Sequence, residues 1–324
     1  MQKIHFLIFL FPLFLCQGFT GLKKPDTHNR IPEKPFENSR FEIIDSVSIH
    51  YRVWNDTLRN PRGKIILIHG FCGSTFCWRY NFDALVAAHY KVVAIDLPGF
   101  GYSQRSPSLN QSQSNRARLL WGLLEKIDGN ELTKWNIVGH SMGGGAAEAM
   151  ALMYPGKTQS LTILDGMVFL TNDNVNLMIV GLVNQPLYKR ILLSYMEKTY
   201  LSFNNFRREL KGTYGFLPDT ITVNGYLEPL QIDGSAETVV NILANSREIQ
   251  PLNTENLKEL PVLIIWGKKD RTIRLKNGKK LKRAVPSAEL IIIPTAHHMA
   301  METHPDEFNG LLIEFLNRNN KIAK

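Results

Sequence analysis

Short, uninterrupted apolar runs recur along the chain, each closed by glycine, proline or a polar residue. They are Lys64–His69 (KIILIH), Lys91–Leu97 (KVVAIDL), Asn136–Gly139 (NIVG), Ser160–Leu164 (SLTIL), Val262–Trp266 (VLIIW) and Glu289–Ile293 (ELIII). Runs of this length without polar alternation predict strands buried on both faces, as in a parallel sheet. Phe41–Asp45 and Ser48–Trp54 are rich in β-formers and predict a hairpin at a sheet edge. Helical segments lie between the runs, among them Arg116–Ile127 and Gly143–Tyr154. Alternation of this kind predicts a doubly wound α/β sheet.

The rhythm breaks between Leu164 and Val262, where no buried-strand run is visible. A structureless loop of that length is improbable in a compact domain, so the interval is read as a mainly helical insertion covering one end of the sheet. Helical spacing is visible in Leu187–Tyr200. Tyr188, Tyr195, Tyr200, Phe203, Phe206, Tyr214, Phe216 and Tyr226 are expected to pack rather than to touch substrate. The domain plan is therefore a leader in residues 1–20, a Pro-containing charged linker in 21–39, core in 40–165, a helical cap in 166–256 and core again in 257–324.

The first twenty residues add a destination. Lys3 precedes the apolar stretch from Ile4 to Leu15, and Cys16 and Gly18 have the spacing of a cleavage site. This predicts a secretory signal, with an uncleaved membrane anchor or lipidation at Cys16 as alternatives. Beyond it no run approaches the ~18 apolar residues of a spanning helix. With three cysteines in 324 residues a disulfide scaffold is excluded; pairing of Cys72 with Cys77 in a loop stays open. The net charge of +9 is local, because residues 268–283 carry nine Lys/Arg against one Asp. A solvated helix face explains such a run better than an anionic partner does, and a nucleic-acid binder would spread the charge more widely.

The chemistry is concentrated in Gly139-His140-Ser141-Met142-Gly143, a G-x-S-x-G pattern that follows one strand and opens a helix. A nucleophilic Ser must stand clear of the sheet on a tight turn, which leaves no room for side chains two positions either side. Together with His69–Tyr80 (HGFCGSTFCWRY) and Asp96–Ser103 (DLPGFGYS), this order resembles the α/β-hydrolase superfamily. It is most similar to the small serine esterases, haloperoxidase-like enzymes and carbon–carbon bond hydrolases with a helical cap. The resemblance covers residues 40–165 and 257–318 and implies a mostly parallel eight-stranded sheet. It also implies Ser141 as nucleophile, with an oxyanion hole of the Phe71 and Met142 backbone N–H groups. His69 and His140 are expected to be structural.

A triad also needs an acid and a base. After the strand VLIIW, the WGKKD turn presents Asp270, with Asp165 as the alternative acid past another strand. After ELIII come His297 and His298; the family spacing counted back from Pro305 favours His298, and His297 stands where the family usually has Gly. His304 is assigned to capping or packing, and no metal or other cofactor is expected. A serine nucleophile suits attack on a carbonyl and an acyl intermediate, which the Asp-nucleophile dehalogenases and epoxide hydrolases of this fold do not use. The expected activity is hydrolysis of a small to medium apolar ester, without nucleic-acid partners. The alternatives are a carbon–carbon bond hydrolase, with Arg190, Arg207 or Arg208 gripping a substrate carboxylate, and a catalytically silent binding protein. Membrane association is expected only through residues 1–20.

Overall fold

The structure is a computed structural model that describes residues 30–106, 108–129, 134–167, 185–245 and 254–320. The proposed leader and its Cys16 lie outside the described residues. Eight strands form one sheet: β1 (Ser39–Ile44), β2 (Val47–Trp54), β3 (Gly63–Ile68), β4 (Tyr90–Ile95), β5 (Trp135–His140), β6 (Thr158–Leu164), β7 (Val262–Gly267) and β8 (Glu289–Ile293). Their order is β1-β2-β4-β3-β5-β6-β7-β8. The β1–β2 hairpin is antiparallel and joins β4 antiparallel, while β4, β3 and β5 to β8 run parallel. The continuous apolar runs are the central strands, and Ile65 to Ile68 and Leu263 to Trp266 have no exposed surface. At the N-terminal approach, Asn38 bonds Val53 and Arg52, and the Arg52 guanidinium lies 4.0 Å above the Phe36 ring.

The core helices are α1 (Phe82–Ala87), α2 (Gln113–Asp128), α3 (Met142–Met153), α8 (Lys276–Ala284), α9 (Ala300–Thr303) and α10 (Pro305–Asn319). The Ser112 hydroxyl caps α2 by accepting from Asn115 N–H at 3.3 Å. Ala117, Leu120, Trp121 and Leu124 line its buried face at helical spacing. α2 packs on α3, and α1 on α10, giving a helical layer on either side of the sheet. α8 buries Gly278 against Trp266, and Leu281 beside it, while Lys276, Lys279 and Arg283 point to water. The basic run is thus a solvated face. Among the described residues, no helix is long and apolar enough to cross a membrane.

Between β6 and β7 stand four described helices: α4 (Pro186–Tyr195), α5 (Phe203–Tyr214), α6 (Thr220–Leu230) and α7 (Ser235–Asn245). A π-helical turn, Met196–Tyr200, extends α4. Gly215 ends α5 in the left-handed conformation at φ 83°, and the Asp219 carboxylate caps α6 by accepting from Thr222 N–H at 2.7 Å. Phe206, Tyr214 and Tyr226 are buried as expected. Tyr188 is instead exposed, and Phe216, exposed as well, sets its ring edge-to-face on Tyr214 at 5.8 Å.

Candidate active site

Ser141 sits between the end of β5 and the first turn of α3 with φ 53° and ψ −120°, a backbone state that costs a non-glycine residue energy. Three hydrogen bonds hold it there: Ser141 N–H to Leu164 O at 3.0 Å, and Gly144 and Met167 N–H to Ser141 O, each at 2.9 Å. The glycines around it are steric requirements. A Cβ on Gly143 would lie 2.3 Å from His69 O and 2.5 Å from Ile68 O. A Cβ on Gly70 would lie 2.9 Å from both Ser141 Cβ and His140 Nδ1. The His69-Gly70-Phe71 turn therefore runs directly beside Ser141. Met142 is the first helical residue of α3, and its N–H has no carbonyl to meet within the helix.

Buried Asp96, after β4, fixes the neighbouring loops. It accepts from Thr75 N–H at 2.6 Å and Tyr102 N–H at 2.7 Å and pairs with His50 Nδ1 at 2.7 Å. His69 has Nδ1 2.6 Å from Gly70 O, while Nε2 accepts from Leu97 N–H at 2.9 Å. This assigns the proton to Nδ1, and burial holds the imidazole below its usual pKa. His69 is structural, as expected.

The loops after β7 and β8 bring Asp270 and His298 together. His298 Nδ1 lies 2.7 Å from Asp270 Oδ2, and both side chains are buried. The other carboxylate oxygen, Oδ1, accepts from Thr272 N–H at 2.7 Å and Ile273 N–H at 3.0 Å. His140 donates Nε2–H to His298 O at 2.8 Å, and the two rings are 4.8 Å apart. Burial, then the neighbouring His298, pushes His140 well below the ordinary histidine value. Because Gly70 touches both His140 and Ser141, the Ser141 and His298 loops share one wall.

The alternatives weighed from sequence fall elsewhere. His297 packs its ring on Gly215, and partial burial followed by Lys269 and Arg271 lowers its pKa. His304 bonds Thr295 and Thr303, in keeping with a packing role. Asp165 is fully buried beside Asp270, with Oδ1 accepting from Gly267 N–H at 2.8 Å. Asp165, Asp270 and His298 have ligand atoms within 4.8 Å of one another, the one trio of metal-holding spacing among the described residues. Their spacing is already used by the Asp270–His298 hydrogen bond. Arg190 and Arg208 are exposed, and Arg207 Nε–H donates to Pro218 O at 2.8 Å. Cys72 and Cys77 are buried and free; burial pushes both thiols upward.

Sequence reasoning missed how the insertion grips this site. His298 N–H donates to Thr213 O of α5 at 2.9 Å. Glu302 of α9, fully buried, accepts from the Tyr214 hydroxyl at 2.6 Å and from the Tyr226 hydroxyl, and pairs with Arg79. Arg79 Nη2–H also reaches the Thr222 hydroxyl at 3.1 Å. On the other side Arg105 donates to Gly101 O, Ser103 O and Pro229 O, with Ser235 near its Nε. The available signal was a lone Glu in an apolar stretch, AMET, which alone names no partner.

Comparison with known proteins agrees with this architecture. The chain is 26% identical over 277 residues to an uncharacterized hydrolase, YugF, of Bacillus subtilis, covering 84% of this chain and 96% of that one. It is 29% identical over 280 residues to a 2-hydroxy-6-oxononadienedioate/2-hydroxy-6-oxononatrienedioate hydrolase of Burkholderia vietnamiensis, covering 83% and 91%. The crystal structure of a membrane phospholipase A superposes with a TM-score of 0.68 at 21% identity, covering 87% and 86%; at that identity the likeness shows the fold. The family model for the α/β hydrolase fold matches residues 64–305, spanning β3 through the start of α10. With the sheet order, the strained Ser141 turn and that match in agreement, the chain belongs to the α/β hydrolase family, and it is a hydrolase.

Proposed function

We propose that this hydrolase cleaves carboxylic esters of small to medium apolar acids or alcohols through an acyl-enzyme on Ser141. The observation that carries the reading is the strained Ser141 turn, whose neighbour His140 bonds the His298 carbonyl, together with the buried Asp270–His298 pair. With the Nδ1 proton held by Asp270, His298 Nε2 keeps a lone pair for the Ser141 proton. The Ser141 oxygen attacks the acyl carbon, and the Phe71 and Met142 N–H groups receive the oxyanion. His298 then passes the proton to the departing alcohol. Water, deprotonated by His298 in turn, releases the acid and restores Ser141. The insertion, held at Thr213, Glu302 and Arg105, would roof the site and set acyl length.

A second reading is carbon–carbon bond hydrolysis with the same three residues, favoured by the likeness to the 2-hydroxy-6-oxononadienedioate/2-hydroxy-6-oxononatrienedioate hydrolase of Burkholderia vietnamiensis. Against it, Arg190 and Arg208 are exposed and Arg207 donates to Pro218 O. The test is a panel of p-nitrophenyl esters of rising acyl length beside a meta-cleavage diketone. Ester turnover lost by about 10³-fold in folded Ser141→Ala supports the triad. Full activity in that variant overturns it, and preference for the diketone establishes the second reading.

A further inference from the structure

Asp165 is a buried carboxyl that the proposed cycle does not use. It stands just past β6 at φ 44°, tied by its own N–H to Ile265 O at 3.0 Å. Its Oδ1 accepts from Gly267 N–H, and its buried Oδ2 accepts from no N–H or O–H among the described residues. Asp270, within 4.8 Å, is supplied very differently, with two backbone N–H groups on Oδ1 and His298 Nδ1 at Oδ2. Two carboxylates this close and this dry do not both ionise, and the charge settles where more donors point. Among the described residues, three donors serve Asp270 and one serves Asp165.

We propose that Asp165 is a neutral carboxylic acid whose Oδ2 proton is turned toward Asp270, making it a positioning residue that shares the negative charge Asp270 presents to His298. This rests on the triad reading only for its effect on turnover. The protonation itself follows from the carboxyl pair, and burial, then Asp270, drives Asp165 well above the usual carboxylate range. The other ionisable groups around the pair are His298, His140 on β5 against it, and His297, Lys269 and Arg271 further out. The arrangement also shows why Asp165 is not the triad acid. Its acceptor edge is spent on Gly267, and the edge that remains carries the proton.

Asp165→Asn and Asp165→Ala separate the possibilities. Asn keeps a carbonyl for Gly267 N–H and an N–H to give to Asp270. It is therefore expected to restore most of the turnover that Ala loses, with the acid limb of the kcat/KM profile left in place. Ala removes the donor, concentrates charge on Asp270, and should move that limb to higher pH while lowering kcat by tenfold or so. Were Asp165 ionised, Asn would delete a negative charge beside His298 and move the limb to lower pH, overturning the proposal.

Two readouts need no activity. Infrared difference spectra at pH 8 should show a protonated-carboxyl band in the parent that is missing in Asp165→Asn. Stability should also respond to pH. A carboxyl neutral when folded and ionised when unfolded binds more protons in the folded state. Between about pH 4 and its raised folded value it therefore loses about tenfold in the folding equilibrium per pH unit. Asp165→Asn should lack that slope. No band, with parallel stability curves, overturns the proposal even if Asp165→Ala fails to fold. A band in the parent, with Ser141→Ala fully active, would keep the carboxyl pair and remove the triad.

Discussion

Replacing Glu302 by Gln keeps the shape of the side chain and removes its charge. The carboxylate serves three donors: the Tyr214 hydroxyl at 2.6 Å, the Tyr226 hydroxyl and Arg79. Two of its partners belong to the inserted helices and one to the core. Gln offers one acceptor edge and turns an N–H edge toward a group that is itself a donor. It also leaves the Arg79 guanidinium, 17% exposed, without its counter-ion. Removing one partner of a buried pair costs about 3–5 kcal/mol. Arg79 keeps Phe76 O at 3.3 Å and the Thr222 hydroxyl at 3.1 Å, so the lower end, about 3 kcal/mol, applies here. That is roughly a hundredfold rise in the population with α5 and α6 undocked. Native-state proteolysis with peptide mapping reads this directly, because cleavage follows the open population when closing is fast. Cuts should appear in α5 and α6 about a hundredfold faster, with β3 to β8 still protected. Agreement between variant and parent within roughly threefold, under ~0.7 kcal/mol, would refute the reasoning. So would equal loss of protection in the central strands, which would show that insertion and sheet open as one unit.

Three further expectations follow from the site. His298→Ala should be nearly inactive while His297→Ala keeps at least about a tenth of the ester turnover, and Asp270→Asn should be far worse than Asp165→Asn, because an Asn there holds the wrong imidazole tautomer; steady-state kinetics in the reverse order would displace the pair. Gly143→Ala would press a methyl onto two backbone carbonyls of β3 and its turn. It should lower the urea midpoint by the equivalent of about 2–3 kcal/mol, and an unchanged midpoint would mean that α3 slides freely on the strand.

The strands were legible because burial on both faces leaves a local mark, an unbroken apolar run, and the Ser141 turn because its glycines are demanded by neighbours in the same motif. Loop position after a strand put forward Asp270 and both His297 and His298, and the family resemblance, through the WGKKD turn and the spacing to Pro305, favoured Asp270 and His298. What the structure adds is three-dimensional: the His298 ring meets Asp270 and the His297 ring lies on Gly215. The same holds for Asp165, whose meaning depends on a carboxyl 105 positions further along the chain. The Glu302 clasp joins residues 88 and 76 positions apart, and no periodicity or spacing announces such a contact. Tyr188 was misjudged because composition reports aromatic content, whereas burial depends on which helix face finds a neighbour.

The β6–β7 pairing, with Leu161 opposite Val262, has a consequence for how the chain can vary. To the sheet, the whole of α4 to α7 is one loop, entered after Leu164 and left before Val262. Closing a loop costs entropy that grows only with the logarithm of its length, about 0.6 kcal/mol per doubling. Halving or doubling the insertion would therefore change the stability of the sheet by less than a typical core mutation does. Chain length at this one junction is close to a free variable. The strands hold Ser141, Asp270 and His298 to their spacing while the inserted segment can be exchanged wholesale, provided the replacement finds its own hold on Arg79, Arg105 and Glu302.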